Sequence, residues 1–157
     1  MKYISVNSRS DFEFHDAEFT FNSFVNHQLV IIAYYLNIHK NTEQNPFETD
    51  MEIERACITF EGIDIISYKS GRAWQRDESN EPQVIFSDDE AHCRFIEQLK
   101  TRITVFDLDI LDIKERKIYF IDAMAVDPFF TVCFTFERVV IAWDSYKKDA
   151  WYTSRNG

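Results

Sequence analysis

The chain reads as a mainly β protein of the α+β type. Two antiparallel three-stranded meanders form a sandwich or a partly open barrel, with one capped helix near 88–101. Three observations predict this. Apolar and polar residues alternate at a period of two over most of the chain, the spacing of strands with one buried face. One stretch, 87–102, instead shows the three-to-four spacing of a helix. Third, Cys57-Ile58-Thr59-Phe60-Glu61-Gly62-Ile63-Asp64-Ile65 returns as Cys133-Phe134-Thr135-Phe136-Glu137-Arg138-Val139-Val140-Ile141, identical at five of nine positions.

In chain order, Phe12 and Phe14 lie on one parity and Phe19 and Phe21 on the other, so His15-Asp16-Ala17 marks a bulge or short turn. Residues 27–39 carry apolar groups on both parities and predict a strand buried on both sides. Asn41 to Asp50 is a polar, proline-containing loop. Residues 53–68 alternate as strand, with a bulge or bend at Gly62. Residues 69–82 are polar and end at Pro82, which predicts loop, and Val84 to Phe86 a short strand. Ser87-Asp88-Asp89-Glu90 has the spacing of a capping box, with Ser87 and Glu90 each bonding the other's backbone N–H. Ala91, Phe95 and Leu99 then form an i, i+4, i+8 stripe, and Lys100 and Arg102 suit the helix's negative end. Strands follow near 103–113, 117–126, 129–136 and 138–143. A charged hairpin at 113–117 and a turn at Asp127-Pro128 separate the first three. Asp144 to Trp151 is expected to form a short helix. The echo makes residues 12–68 and 103–143 either two copies of one unit or two strand sets that share a short string by chance. The length fits one domain over 1–157.

Composition excludes several functions. At 45% hydrophobic the chain is not disordered. With 27 acidic against 17 basic residues, its net charge of −10 lacks the basic footprint that nucleic acid requires. The longest apolar run, Leu29 to Leu36, is too short for a membrane helix, and the first residues do not form a secretory signal. Cys57, Cys93 and Cys133 are odd in number and widely spaced, which suits free thiols in a reducing cytoplasm and no structural zinc.

No serine elbow or glycine-rich phosphate loop is present, because glycine occurs only at 62, 71 and 157. Asp107 and Asp109 share one face of a strand, as a Mg²⁺-dependent hydrolase would require. The apolar parity of Phe106, Leu108 and Ile110 places them more naturally on the wet side of a half-buried strand. His15-Asp16 resembles a phosphohydrolase dipeptide, but it sits between strands and lacks spaced partners. The acid gathers instead in two connecting segments, 43–54 and 77–90. Glu48, Asp50, Glu52, Asp77, Glu78 and Glu81, with Trp74 as an aromatic anchor, are the expected contacts for a basic protein partner.

Phe14-His15-Asp16-Ala17-Glu18-Phe19, an apolar strand, and Ile58-Thr59-Phe60-Glu61-Gly62-Ile63 resemble motifs of small acidic bacterial immunity proteins encoded beside polymorphic toxins. The resemblance covers roughly residues 12–68. It implies a non-enzymatic cytoplasmic module that binds and blocks a toxin domain, with no cofactor and no catalytic residues to carry over. Two other readings stand beside it. One is a small-molecule carrier with a cavity lined by Phe130, Phe134 and Phe136; the other is the Asp107/Asp109 hydrolase.

Overall fold

The structure is a computed structural model and describes residues 1–71, 84–113 and 116–153. Its strands are β1 (Tyr3–Val6), β2 (Phe12–Glu13), β3 (Glu18–Val25), β4 (Gln28–Tyr34), β5 (Asn37–Ile38), β6 (Met51–Ile53), β7 (Ala56–Glu61) and β8 (Asp64–Ser70). After them come β9 (Ile85–Ser87), helix α1 (Asp88–Lys100), β10 (Ile103–Ile113), β11 (Arg116–Met124), β12 (Phe130–Thr135), β13 (Arg138–Trp143) and β14 (Tyr146–Asp149). The protein is mainly β, with antiparallel sheets and, among the described residues, one α-helix. Ten strands form one sheet in the order β1-β13-β7-β4-β3-β10-β11-β12-β8-β9, and four form another, β14-β6-β5-β2.

The ten-stranded order is palindromic. Each meander, β3-β4-β7 and β10-β11-β12, is followed by a strand that joins the other meander: β13 pairs with β7, and β8 with β12. The register repeats as well. The offset that takes Cys57 to Cys133 also takes Ile58 to Phe134 and Ile65 to Ile141; Ile58 pairs with Ile141, and Phe134 with Ile65. At the centre, the Val105 N–H donates to Ala17 O and the Asp16 N–H to Val105 O, both at 2.8 Å.

The sheet curls on itself. Phe60 of β7 and Phe134 of β12 are five strands apart along it, about 24 Å in a flat sheet, yet their ring centroids lie 5.4 Å apart. The two halves therefore face each other as a sandwich, and β1 and β9 stay unjoined, so no barrel closes. Buried Ile58, Phe60, Ile141 and Trp143 of one half meet Ile121, Val132 and Phe134 of the other in one core. Helix α1 lies between β8 and β3 and buries Ala91, Phe95 and Leu99. The small sheet serves the first half in the same way, setting Phe12 edge-on to Trp143 and leading into Phe14 against Phe19.

Four local expectations change. β4 buries one face only: Leu29, Ile31 and Ala33 are inside, whereas Val30, Ile32 and Tyr34 are half-exposed because nothing described covers the convex side. Leu36 and Ile38 belong to the turn into the small sheet and to that sheet itself. The stretch 144–151 contains strand β14 in place of a helix, since pairing with β6 seats Tyr146 against Trp143 and Tyr3. Ser87 is the N-cap of α1, but its side chain makes no capping bond; Asp88 sits at φ +52°, outside the helical region that a capping box assumes. In β10 the register shifts between Val105 and Asp107, so the buried face passes from Ile103 and Val105 to Leu108.

Candidate functional site

The predicted acidic surface divides when folded. Trp74, Asp77, Glu78 and Glu81 lie outside the described residues. Glu48 is exposed. Asp50 is committed internally: Oδ2 accepts from His39 Nδ1 at 3.0 Å and the Tyr152 hydroxyl at 2.6 Å, and Oδ1 from the Lys40 N–H at 2.8 Å. Burial alone would raise the Asp50 pKa, but the Tyr152, Lys40 and His39 donors together hold it below the ordinary value. Glu52 is 4% exposed, with Oε2 3.7 Å from Lys147 Nζ. Asp50 and Glu52 thus hold the 39–54 segment to the strand and turn that end the described chain.

Asp107 and Asp109 both point to solvent from β10. Asp107 lies opposite Asp122, and partial burial, then Asp109 and Asp122, push its pKa up. Asp109 is 3.4 Å from Arg9 and accepts from the Ile110 N–H. Among the described residues no three His, Cys, Asp or Glu side chains are grouped to hold a metal ion. His15 bonds the Phe106 carbonyl through Nδ1 at 2.9 Å. The three cysteines are free, and burial pushes the Cys133 thiol pKa up. Phe130 and Phe134 are buried, Phe130 stacked on Tyr68 and Phe134 on Tyr119. Of the three rings expected to line a cavity, Phe136 alone borders a described cleft.

A different acidic site is assembled from three elements. A cleft of about 330 Å³ is lined by Phe24, His27, Asp64, Asp88, Asp89 and His92, over Ile63 and Ile65. His27 is the second residue of the two-residue β3–β4 turn. Asn26 and His27 both have positive φ, +52° and +59°, as the tight turns matching strand twist require. Asp64 opens β8 directly after the Gly62 turn, where the Ile63 N–H donates to His27 O at 2.9 Å. Asp88, Asp89 and His92 come from the first turns of α1. The His92 ring is 4.4 Å from Phe24. Its burial lowers its pKa, an effect that Asp89 opposes and His27 adds to, so the imidazole is neutral at pH 7. None of Asp64, Asp88 and Asp89 has an ion-pair partner among the described residues.

Sequence reasoning found Asp88 and Asp89 as an acidic run but missed His27, Asp64 and His92, which lie far apart in the chain. The legible signal was Asn26-His27 between two alternating strands, a two-residue hairpin that places an imidazole at the sheet's end.

No protein-family model, no curated protein and no solved structure matches the chain. Among the described residues no helix is long and apolar enough to cross a membrane.

Proposed function

We propose that this protein is a non-enzymatic, cytoplasmic protein-binding module that captures a basic partner, in the manner of immunity proteins that neutralise a toxin domain. One observation carries the reading. Asp64, Asp88 and Asp89 converge on a single concave site without cationic partners among the described residues. Fixed carboxylates around a cleft focus negative potential and speed the approach of a positive surface. A lysine or arginine of the partner would enter between them and lie against the Phe24 ring. His92, whose pKa its burial lowers, is neutral near pH 7 and adds no positive charge to that potential.

Co-expression with the toxin-like product of a neighbouring gene tests this. The wild-type protein is expected to rescue growth and to retain that product in a pull-down. The triple variant Asp64→Asn/Asp88→Asn/Asp89→Asn should bind at least about tenfold more weakly while keeping its denaturation midpoint, since a tenfold change is about 1.4 kcal/mol. No rescue by the wild-type protein, or unchanged binding by the triple variant, overturns the proposal.

A further inference from the structure

The palindromic sheet forms a second cleft at the position equivalent to the acidic one. In each, residues just after an edge strand meet the start of a meander's middle strand and the corner leading into the crossing strand. The residue leaving the edge strand is left-handed both times, Asn7 at φ +52° after β1 and Asp88 at φ +52° after β9. The second cleft has a volume of about 310 Å³ and is lined by Asn7, Arg9, Lys117, Tyr119, Phe136 and Glu137, with Val139. Its chemistry is inverted. One cleft gathers three carboxylates; the other, in a chain of net charge −10, gathers a guanidinium and an ammonium beside two aromatic rings.

The geometry points to this second cleft as a binding site for a small aromatic oxyanion, a planar ring bearing a carboxylate or a phosphate. Tyr119 and Phe136 have ring centroids 4.3 Å apart and form an aromatic wall. The Arg9 guanidinium sits 5.9 Å over the Tyr119 ring and is oriented by Asp109 at 3.4 Å, a single contact for a group with five donors. Asn7 is held at two points: its N–H donates to Val139 O at 2.8 Å, and its Oδ1 accepts from the Val139 N–H at 2.9 Å. That commits the amide oxygen and leaves the Nδ2 donor without a protein partner among the described residues. Lys117 is exposed and has no ion pair among them.

Glu137 brings the cleft's one carboxylate. That carboxylate lies over Gly62, with Oε2 2.8 Å from where a Cβ would stand there, on the β7–β8 side of the corner. The Arg9 guanidinium, the Lys117 ammonium and the Asn7 Nδ2 are donors only, and they ask for an acceptor-rich ligand. Charge-assisted bonds to an oxyanion are the strong ones, and the rings supply a stacking surface. The volume lies at the small end of ligand pockets, which suits one ring and one charged group.

Isothermal titration of the full chain with phenyl phosphate, benzoate, inorganic phosphate and benzyl alcohol tests the site. Phenyl phosphate and benzoate should saturate one site, roughly tenfold more tightly than inorganic phosphate or benzyl alcohol, a difference of about 1.4 kcal/mol. Lys117→Gln should weaken phenyl phosphate binding about fivefold through the lost charge-assisted contact. Asn7→Asp keeps the acceptor for Val139 and tolerates the positive φ, but it places a second carboxylate in the cleft and should abolish binding. Urea midpoints near wild type confirm that both variants fold. Failure of phenyl phosphate and benzoate to saturate, equal binding by inorganic phosphate, or unchanged affinity in both variants overturns the site. The partner-binding proposal uses other residues, so it stands or falls separately.

Discussion

Gly62 shows what a single residue contributes. It turns the chain at φ +66°, and a Cβ there would come within 2.7 Å of the Glu137 side chain. Gly71 has φ +91°, and no atom of the described residues lies within 4 Å of where a Cβ would stand. Gly71→Ala is expected to cost about 1 kcal/mol from backbone strain alone, and Gly62→Ala about 2 kcal/mol, because Glu137 must also move. In a Glu137→Ala background the Gly62→Ala cost should fall to the Gly71→Ala value, read from urea denaturation. Asp50 contributes through charge. Its pKa is lowered on folding, so the stability it brings is present above its ordinary value of 3.8 and is lost as pH falls below that towards the folded value. Asp50→Asn should therefore destabilise by about 1–2 kcal/mol at pH 7, and clearly less at pH 3. Its acidity was legible in the sequence as charge. Its role was not, because His39, Lys40 and Tyr152 reach it from separate parts of the chain.

Among the elements, α1 was read correctly from its stripe and wrongly from its cap. Ala91, Phe95 and Leu99 are buried as the spacing requires, since one helical face must cover apolar surface wherever the helix docks. The capping box depends on one backbone angle, and the left-handed Asp88 removes it. Ser87→Ala should consequently change the urea midpoint by no more than a few tenths of a kcal/mol, well below a true cap. Phe95→Ala should cost about 3–5 kcal/mol in the same assay. The strands were legible for the same reason as the helix stripe: alternation is a local property, and β7, β12 and β13 keep it cleanly. β14 was not legible, because Tyr146 is its one apolar residue and a helix explains a lone aromatic equally well. The candidate site was half legible: Asp88 and Asp89 belong to one run, whereas His27 and Asp64 join them only when two turns meet.

At the scale of the molecule, the meanders were visible in the sequence but the crossing of β8 and β13 was not. Gly62 reads as a bulge or bend within one strand over 53–68, and the strands near 129–136 and 138–143 simply follow one another, so neither junction signals a change of partner. Each in fact sends the chain to the opposite side of the sandwich, where its partner is a strand some sixty to ninety residues away. That exchange has a consequence on the ribosome. When β7 emerges, β4 can take one of its edges, but the other must wait for β13; β8 must wait for β12. The first half is thus an unfinished ladder throughout the synthesis of the second, with bare strand edges that invite association with other chains. A chain cut between Gly71 and Val84 is expected to give two fragments that are each insoluble when expressed alone and soluble when expressed together. Sedimentation of the lysates checks this. Folding waits for the last strands, so the time the ribosome takes from Glu61 to Trp143 is the window in which a chaperone would matter.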